Sequence, residues 1–197
     1  MDKTDKIINY NFFHWGPFLY KTSLNEKELD QIKKLCSKKS KNYNDRLAGL
    51  IKHEHVINPK KMFPIIYPYL DSYARAYIEY SGKILGSRIE LETSWVNYMT
   101  KFESNPLHGH DGALSFVIFI EIPKGLKKEN KINKGDSNPG GLNFINELGN
   151  NKYNINFQKF FPEKGDFFIF PASLQHYVNH FQSEGERISV SGNLKII

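Results

Sequence analysis

The chain of 197 residues has a single cysteine, Cys36, so no disulfide can form within it and its stability must come from a packed core. One unpaired thiol fits a reducing cytoplasm, and that is the expected location. Nowhere does the sequence hold an apolar run long enough to span a bilayer, so no membrane association is expected. The first residues, Met1-Asp2-Lys3-Thr4-Asp5-Lys6, are polar and contain no apolar signal core, which argues against export. Charge of one sign is not massed anywhere. The formal net charge is +6, but the pairs Lys33-Lys34, Lys38-Lys39, Lys60-Lys61 and Lys127-Lys128 are scattered. Scattered lysines fit a solvated basic surface better than a nucleic-acid footprint, and a positive field would also suit a small anionic ligand. There is no internal repeat.

Aromatic residues are plentiful, at 14% and mostly Phe and Tyr, which favours β-rich packing. The length suits one domain, residues 1–197, with a core of its own. Its first 87 residues read as helical support, apart from an aromatic stretch at Phe12–Tyr20 that suits an edge strand or a cover over the core. Ser23 with Glu26, and Asn25 with Glu28, form two overlapping capping boxes. A helix follows to about Lys38, with Leu29, Ile32, Leu35 and Cys36 on one face. A second helix is expected over 62–80, ending near Gly82. From residue 88 the period changes to two. Strands are expected at 89–98, 114–122, 141–145, 155–161, 166–170 and 187–196. The Lys-, Asn- and Gly-rich stretch from Pro123 to Gly141 has no apolar period and reads as a lid or a disordered loop. Helices followed by many short strands imply a mostly β fold with N-terminal helices, packed on a jelly-roll core over 88–197.

Three histidines carry the chemistry. His108 and His110 lie two apart before the apolar run Leu114–Ile120, and His176 follows the run Asp166–Pro171. Side chains at i and i+2 of a strand share a face, so His108 and His110 can reach one ion, and Gly109 lets the backbone pass close. His176 can supply a third ligand from an adjacent strand end. Three protein ligands on one side of a metal leave positions open for other molecules, an arrangement that suits Fe(II). Asp111, at i+3, is the alternative to His110 if a local bulge turns it inward. His53-Glu54-His55 has the same bare spacing but no strand context and reads as surface, as do His14 and His180.

Eleven residues beyond His176 stands Arg187-Ile188-Ser189. A guanidinium grips a carboxylate through two parallel hydrogen bonds, and in a strand Ser189 shares the Arg187 face. This pair suits the far carboxylate of a dicarboxylate such as 2-oxoglutarate. Tyr98 or Asn97, on the strand before His108, could complete the anchor. The competing reading of Arg187 is a surface salt bridge to Glu184 or Glu186.

Taken in order, Asn105-Pro106-Leu107-His108-Gly109-His110, Leu114–Val117, Gly140–Phe144, Gly165–Pro171, His176 and Glu186–Asn193 resemble the 2-oxoglutarate/iron(II) oxygenases of marine bacteriophages. These are similar to prolyl-hydroxylase-type enzymes with a double-stranded β-helix core. The resemblance spans about residues 90–197. It implies ligand roles for His108 and His176, co-substrate binding by Arg187 and Ser189, and a co-substrate tyrosine at Tyr98. It further implies Fe(II), 2-oxoglutarate and O2 as the reacting set, with hydroxylation of a substrate, a prolyl residue of a protein or peptide being the best single guess. The rival readings are a cupin-like metal- or sugar-binding jelly roll and a structural phage protein that has lost the chemistry.

Overall fold

The computed structural model describes residues 16–132, 137–146 and 156–197. The polar start of the chain, the segment Phe12–Trp15 and His14 lie outside the described residues. Two sheets and their covering helices organise the rest. Strand β1 (Tyr20–Ser23) leads into α1 (Glu26–Leu35). Of the two overlapping capping boxes, the second forms. The Asn25 side chain accepts from the Glu28 N–H, and the Glu28 carboxylate accepts from the Asn25 N–H, both at 3.0 Å. Ser23 is instead the last rung of β1, paired with Asp166.

After β2 (Glu54–Val56) comes α2 (Pro59–Ser81). It starts earlier than the apolar period suggests, because Asn58 caps it at Lys60 N and Pro59 takes the first helical position. Gly82, with φ of +67°, ends it in the left-handed conformation. Then follow β3 (Ile89–Met99), β4 (Asn105–His108), β5 (Leu114–Glu121), α3 (Leu126–Ile132), β6 (Leu142–Ile145), β7 (Phe157–Phe160), β8 (Asp166–Pro171), β9 (Gln175–Val178) and β10 (Arg187–Ile196). The segment expected to be a lid or a loop therefore contains a helix, anchored by fully buried Leu126. The short strands β2, β4 and β9 hold too few residues to show a period.

The strands form a six-stranded sheet, β1-β8-β5-β10-β3-β2, and a four-stranded sheet, β4-β9-β6-β7. Every pairing is antiparallel. The first 87 residues thus add two edge strands to the large sheet as well as helices. Both faces of that sheet are covered, which is why Leu114–Ile120 is buried without a break. On the outer face, Met62, Ile66, Leu70 and Tyr73 of α2 and Leu29 and Ile32 of α1 pack on Val96, Tyr98, Phe116, Ile118, Phe167 and Ile169. On the inner face, Met99, Val117, Phe119, Phe168 and Phe170 meet Leu142, Phe144 and Val178 of the small sheet.

A bulge separates two regimes of β3. Asn193 pairs with Thr93 but Leu194 pairs with Leu91. One extra residue switches every side chain beyond it to the other face. Strict alternation groups Ile89 and Leu91 with Trp95 and Asn97. In the structure Ile89 and Leu91 instead pack on the helix-side core with Val96 and Tyr98.

Gly192 sits in β10 between β3 and β5, where a Cβ would lie 2.5 Å from Thr93 O and 2.6 Å from the Phe116 ring. Both neighbours are fixed in the central ladder, so neither can yield. Gly192→Ala is expected to lower unfolding stability by roughly 1–3 kcal/mol through overpacking, read as a shift in the urea midpoint.

Candidate active site

The ladder between β4 and β9 places His108 directly opposite His176. His110 lies two residues past the end of β4, so strand alternation does not aim it. It is held by its own N–H, which donates to Ala172 O at 2.9 Å. Gly109 passes close to this turn, where a Cβ would stand 3.3 Å from Gln175 Nε2. The three imidazoles converge. Ring centroids are 4.9 Å apart for His108–His110, 4.3 Å for His108–His176 and 5.0 Å for His110–His176. One nitrogen from each lies within 4.8 Å of the others. Asp111 is exposed and stays out of this cluster.

The donor set fits a divalent cation. His108 Nδ1 is 2.7 Å from Pro106 O, and His176 Nδ1 is 2.9 Å from Leu174 O. A carbonyl at that distance takes an Nδ1–H, so Nε2 of each ring keeps its lone pair for a metal. Burial lowers all three imidazoles below their ordinary range. His110 falls to about 4 and His176 to about 3, with His108 adding repulsion to both. Neutral imidazoles are the form that metals bind. Trp95 packs on His110 at 5.7 Å, and Phe170 packs edge-on to His176 at 5.0 Å.

Arg187 lines the same pocket from the first position of β10 and is only 2% exposed. Its Nε has no hydrogen-bond partner, and its guanidinium lies 4.7 Å from the centre of the Phe119 ring. Burial pulls its pKa down to about 9, as expected for a cation taken out of water without a counter-ion. The surface salt bridge does not form, because Glu184 pairs with Lys101 and Glu186 with Lys38. Ser189 faces the pocket beside Arg187, and Asn97 Nδ2 approaches Ser189 Oγ at 3.5 Å. Tyr98 does not join them. It points to the opposite face of β3, packed in the helix-side core against His55 with the Lys38 ammonium over its ring. Adjacent residues of a strand face opposite ways, so only one of Asn97 and Tyr98 could line the pocket.

The segment His53-Glu54-His55 is not surface. Glu54 and His55 belong to β2, and only His53, just before it, is exposed. His55 is buried on the Tyr98 side, with Nδ1 3.0 Å from Ser40 O. Glu54 faces the pocket at 1% exposure. Burial and the nearby Glu103 raise its pKa to about 8. The only sequence cue to these positions is the spacing that also marks His108 and His110. His180 is exposed, as expected.

Comparison with known proteins identifies the family. A family model described as "Putative 2OG-Fe(II) oxygenase" matches residues 93–193, about half of the chain. That family is the class of 2-oxoglutarate, Fe(II)-dependent oxygenases. The chain belongs to this family, and is a dioxygenase that uses Fe(II) and 2-oxoglutarate. Solved structures share the fold at low identity. A prolyl-4-hydroxylase from Pseudomonas putida aligns at TM-score 0.58 and 13% identity, over 91% of this chain and 92% of its own. The viral collagen prolyl hydroxylase of Paramecium Bursaria Chlorella virus-1, solved with 2OG, aligns at 0.54 and 13%, over 91% and 96%. HygX from Streptomyces hygroscopicus, with nickel, 2-oxoglutarate and hygromycin B bound, aligns at 0.55 and 11%, over 92% and 83%. No curated protein matches the chain in sequence.

Two outcomes follow from this arrangement. His176→Ala should abolish tight Fe(II) retention in an anaerobic titration, since His108 and His110 alone cannot enclose the ion, whereas Asp111→Ala should leave affinity unchanged. Glu54 also makes the metal-free protein pH-sensitive. Its folded pKa of about 8 stands above the ordinary 4.5, so across that window the unfolded chain is ionised while the folded one keeps the proton. The folded state binds more protons there, and stability falls as pH rises. The melting temperature of Glu54→Gln should match wild type near pH 4 and exceed it near pH 8.

Proposed function

We propose that His108, His110 and His176 hold the Fe(II), and that Arg187, Ser189 and Asn97 anchor the far carboxylate of 2-oxoglutarate. The buried, partnerless guanidinium of Arg187 carries this reading. A charge desolvated without a counter-ion costs several kcal/mol, and a dicarboxylate entering the pocket would remove that cost. With Fe(II) bound, the site would support oxidation by O2, one oxygen atom entering succinate as 2-oxoglutarate loses CO2 and the other oxidising a substrate C–H bond. The protein's own residues do the positioning. The carbonyls of Pro106 and Leu174 orient two imidazoles. Arg187 and Ser189 would set the depth at which the dianion comes to rest. Met99, Leu142, Phe170 and Val178 line the pocket and keep it poor in water.

The two facing sheets are read as a double-stranded β-helix core within one domain, 1–197. The substrate that this reading favours is a prolyl residue of a protein or peptide, and hydroxylation is the expected outcome. It is supported by the shared fold of the prolyl hydroxylases, an argument from analogy. The motif order from Asn105 to Asn193 supports placement among the marine-bacteriophage oxygenases, acting in a host cytoplasm. Among the described residues no helix is long and apolar enough to cross a membrane.

Arg187→Met tests the anchor, since it keeps most of the volume and removes the cation. Fe(II) binding should survive. Losing a desolvated charged contact costs on the order of 2–5 kcal/mol, so 2-oxoglutarate affinity should fall roughly thirty- to several-thousand-fold. Unchanged affinity would take Arg187 out of the site.

A further inference from the structure

Fe(II) and 2-oxoglutarate leave part of the pocket without a partner. Among its lining atoms, Glu54 Oε2, Asn97 Oδ1, Asn105 Oδ1 and Arg187 Nε are buried with no hydrogen bond to the described residues. The iron takes imidazole nitrogens. The co-substrate is a dianion with acceptors only, so it can meet Arg187 but none of the three oxygens. A buried polar atom left unmet costs free energy. The substrate is therefore the ligand that has to bring hydrogen-bond donors.

Two of these oxygens belong to neighbours. Glu54 and Asn97 are Cα partners across β2 and β3, and Asn97 is in turn the partner of Ser189. Partners across a ladder share a face, with Cβ atoms roughly 5 Å apart, a span that one small polar group can bridge. Asn97 Nδ2 is the atom turned to Ser189, so Oδ1 is the one left over. Both residues are deeply buried, at 1% and 6% exposure. The neighbouring acid, Glu103, offers nothing to a ligand, because its oxygens accept from Lys52 N at 2.9 Å and Thr100 N at 2.7 Å. The way in passes the same place. Ala48 is the exposed residue of the pocket lining, and a Cβ on Gly49 beside it would stand 2.8 Å from Glu54 Oε1. Asn105 adds its oxygen from β4, in the small sheet.

Charge and donor count narrow the choice. The two charges of Fe(II) and the two of the 2-oxoglutarate dianion cancel, so the loaded pocket keeps the single positive charge of Arg187. Burial and Glu103 hold the Glu54 carboxyl in its neutral form. A lysyl or arginyl side chain would bring a second cation into a dry cavity. An ionised aspartyl or glutamyl side chain has no donor, and a hydroxyl has one. A prolyl ring, the target favoured by analogy, has none. A primary carboxamide has two N–H donors and a carbonyl on one planar group. It can donate one N–H to Glu54 and the other to Asn97 Oδ1, while its carbonyl accepts the Glu54 O–H.

We propose that Glu54 and Asn97 form the recognition subsite for the substrate, and that it takes a primary carboxamide: the side chain of an asparaginyl or glutaminyl residue in a peptide. The proposal rests on the metal and co-substrate reading above. The carbon chain that carries the amide then lies in the cavity that His108, His110 and His176 also line. Oxidation of one of its C–H bonds is the reaction already assigned.

Binding tests this without turnover. The intact protein, loaded with Mn(II) and 2-oxoglutarate in the absence of oxygen, is titrated calorimetrically with acetyl-Ala-Xaa-Ala-N-methylamide peptides. Xaa is Asn, Gln, Asp, Glu, Leu, Lys or Pro, and no peptide has a primary amide except in the Asn or Gln side chain. Two added hydrogen bonds should favour the Asn or the Gln peptide over all the others by about tenfold or more. In Glu54→Leu, which keeps the volume and loses the polar atoms, that preference should shrink to within about threefold. A preference that survives Glu54→Leu intact overturns the proposal. So do equal affinities across the series, tightest binding by the Pro or Lys peptide, or no binding of the Asn and Gln peptides at millimolar concentration. These last three outcomes need only wild type, so they decide the matter even if Glu54→Leu does not fold. Uridine, whose ring sets an N–H between two carbonyls, is the nucleobase control, and tighter binding of uridine than of either amide peptide also overturns it. Failure of wild type to take up Mn(II) and 2-oxoglutarate at the outset would instead sink the metal-site reading, and this inference with it.

Discussion

Arg187 is a cation buried without a counter-ion, and the fold around it has to offset that cost. A guanidinium at 2% exposure with an unpartnered Nε is expensive to keep in an empty pocket. Something else in the fold must offset it. The helices do so, by covering the outer face of the sheet that carries Arg187. Fully buried Met62, Ile66, Leu70 and Tyr73 are each far from the chemistry. Burial of such side chains contributes about 1.5–3 kcal/mol apiece. The N-terminal region thus stabilises a sheet whose inner face is spent on function.

The inner face is divided between packing and polarity. Toward β8 and β6 it is phenylalanine against phenylalanine, with Phe144 5.0 Å from Phe170 and Phe160 5.0 Å from Phe168. Toward β3 and β2 it becomes polar, with Ser189, Asn97 and Glu54 in one row. The aromatic layer fixes the spacing between the sheets, and so the distance from His108 and His176 on the small sheet to Arg187 on the large one. The polar row leaves Asn97 Oδ1 and Glu54 Oε2 buried without hydrogen-bond partners. Low dielectric links the two, because the dry aromatic side strengthens every charge interaction on the other. That same environment keeps the imidazoles neutral and the Glu54 carboxyl protonated.

Much of the fold was legible in the chain because long elements show their period. The helix ending at Gly82, the run Leu114–Glu121 and the strand Arg187–Ile196 each carry enough residues for burial to imprint a pattern. The strand pairs that matter most for the site were not legible in this way. β4 and β9 span four residues each and β2 only three. At that length pairing is decided by neighbours rather than by local preference. The bulge opposite Leu194 is hidden for the same reason, since no residue type there demands it.

By itself the sequence determined the chemistry available: three imidazoles, one Arg-x-Ser strand, and a helix-then-strand order that implies a sheet fold with helical cover. Side-chain type and local period are properties of the chain alone. Only the tertiary structure decided which groups meet. Strand parity turned Asn97 into the pocket and Tyr98 into the core, the turn after β4 brought in His110 and left Asp111 in solvent, and the covering loop buried Glu54 beside them. Those choices depend on register and on what packs against each face, and both are set by residues distant in sequence.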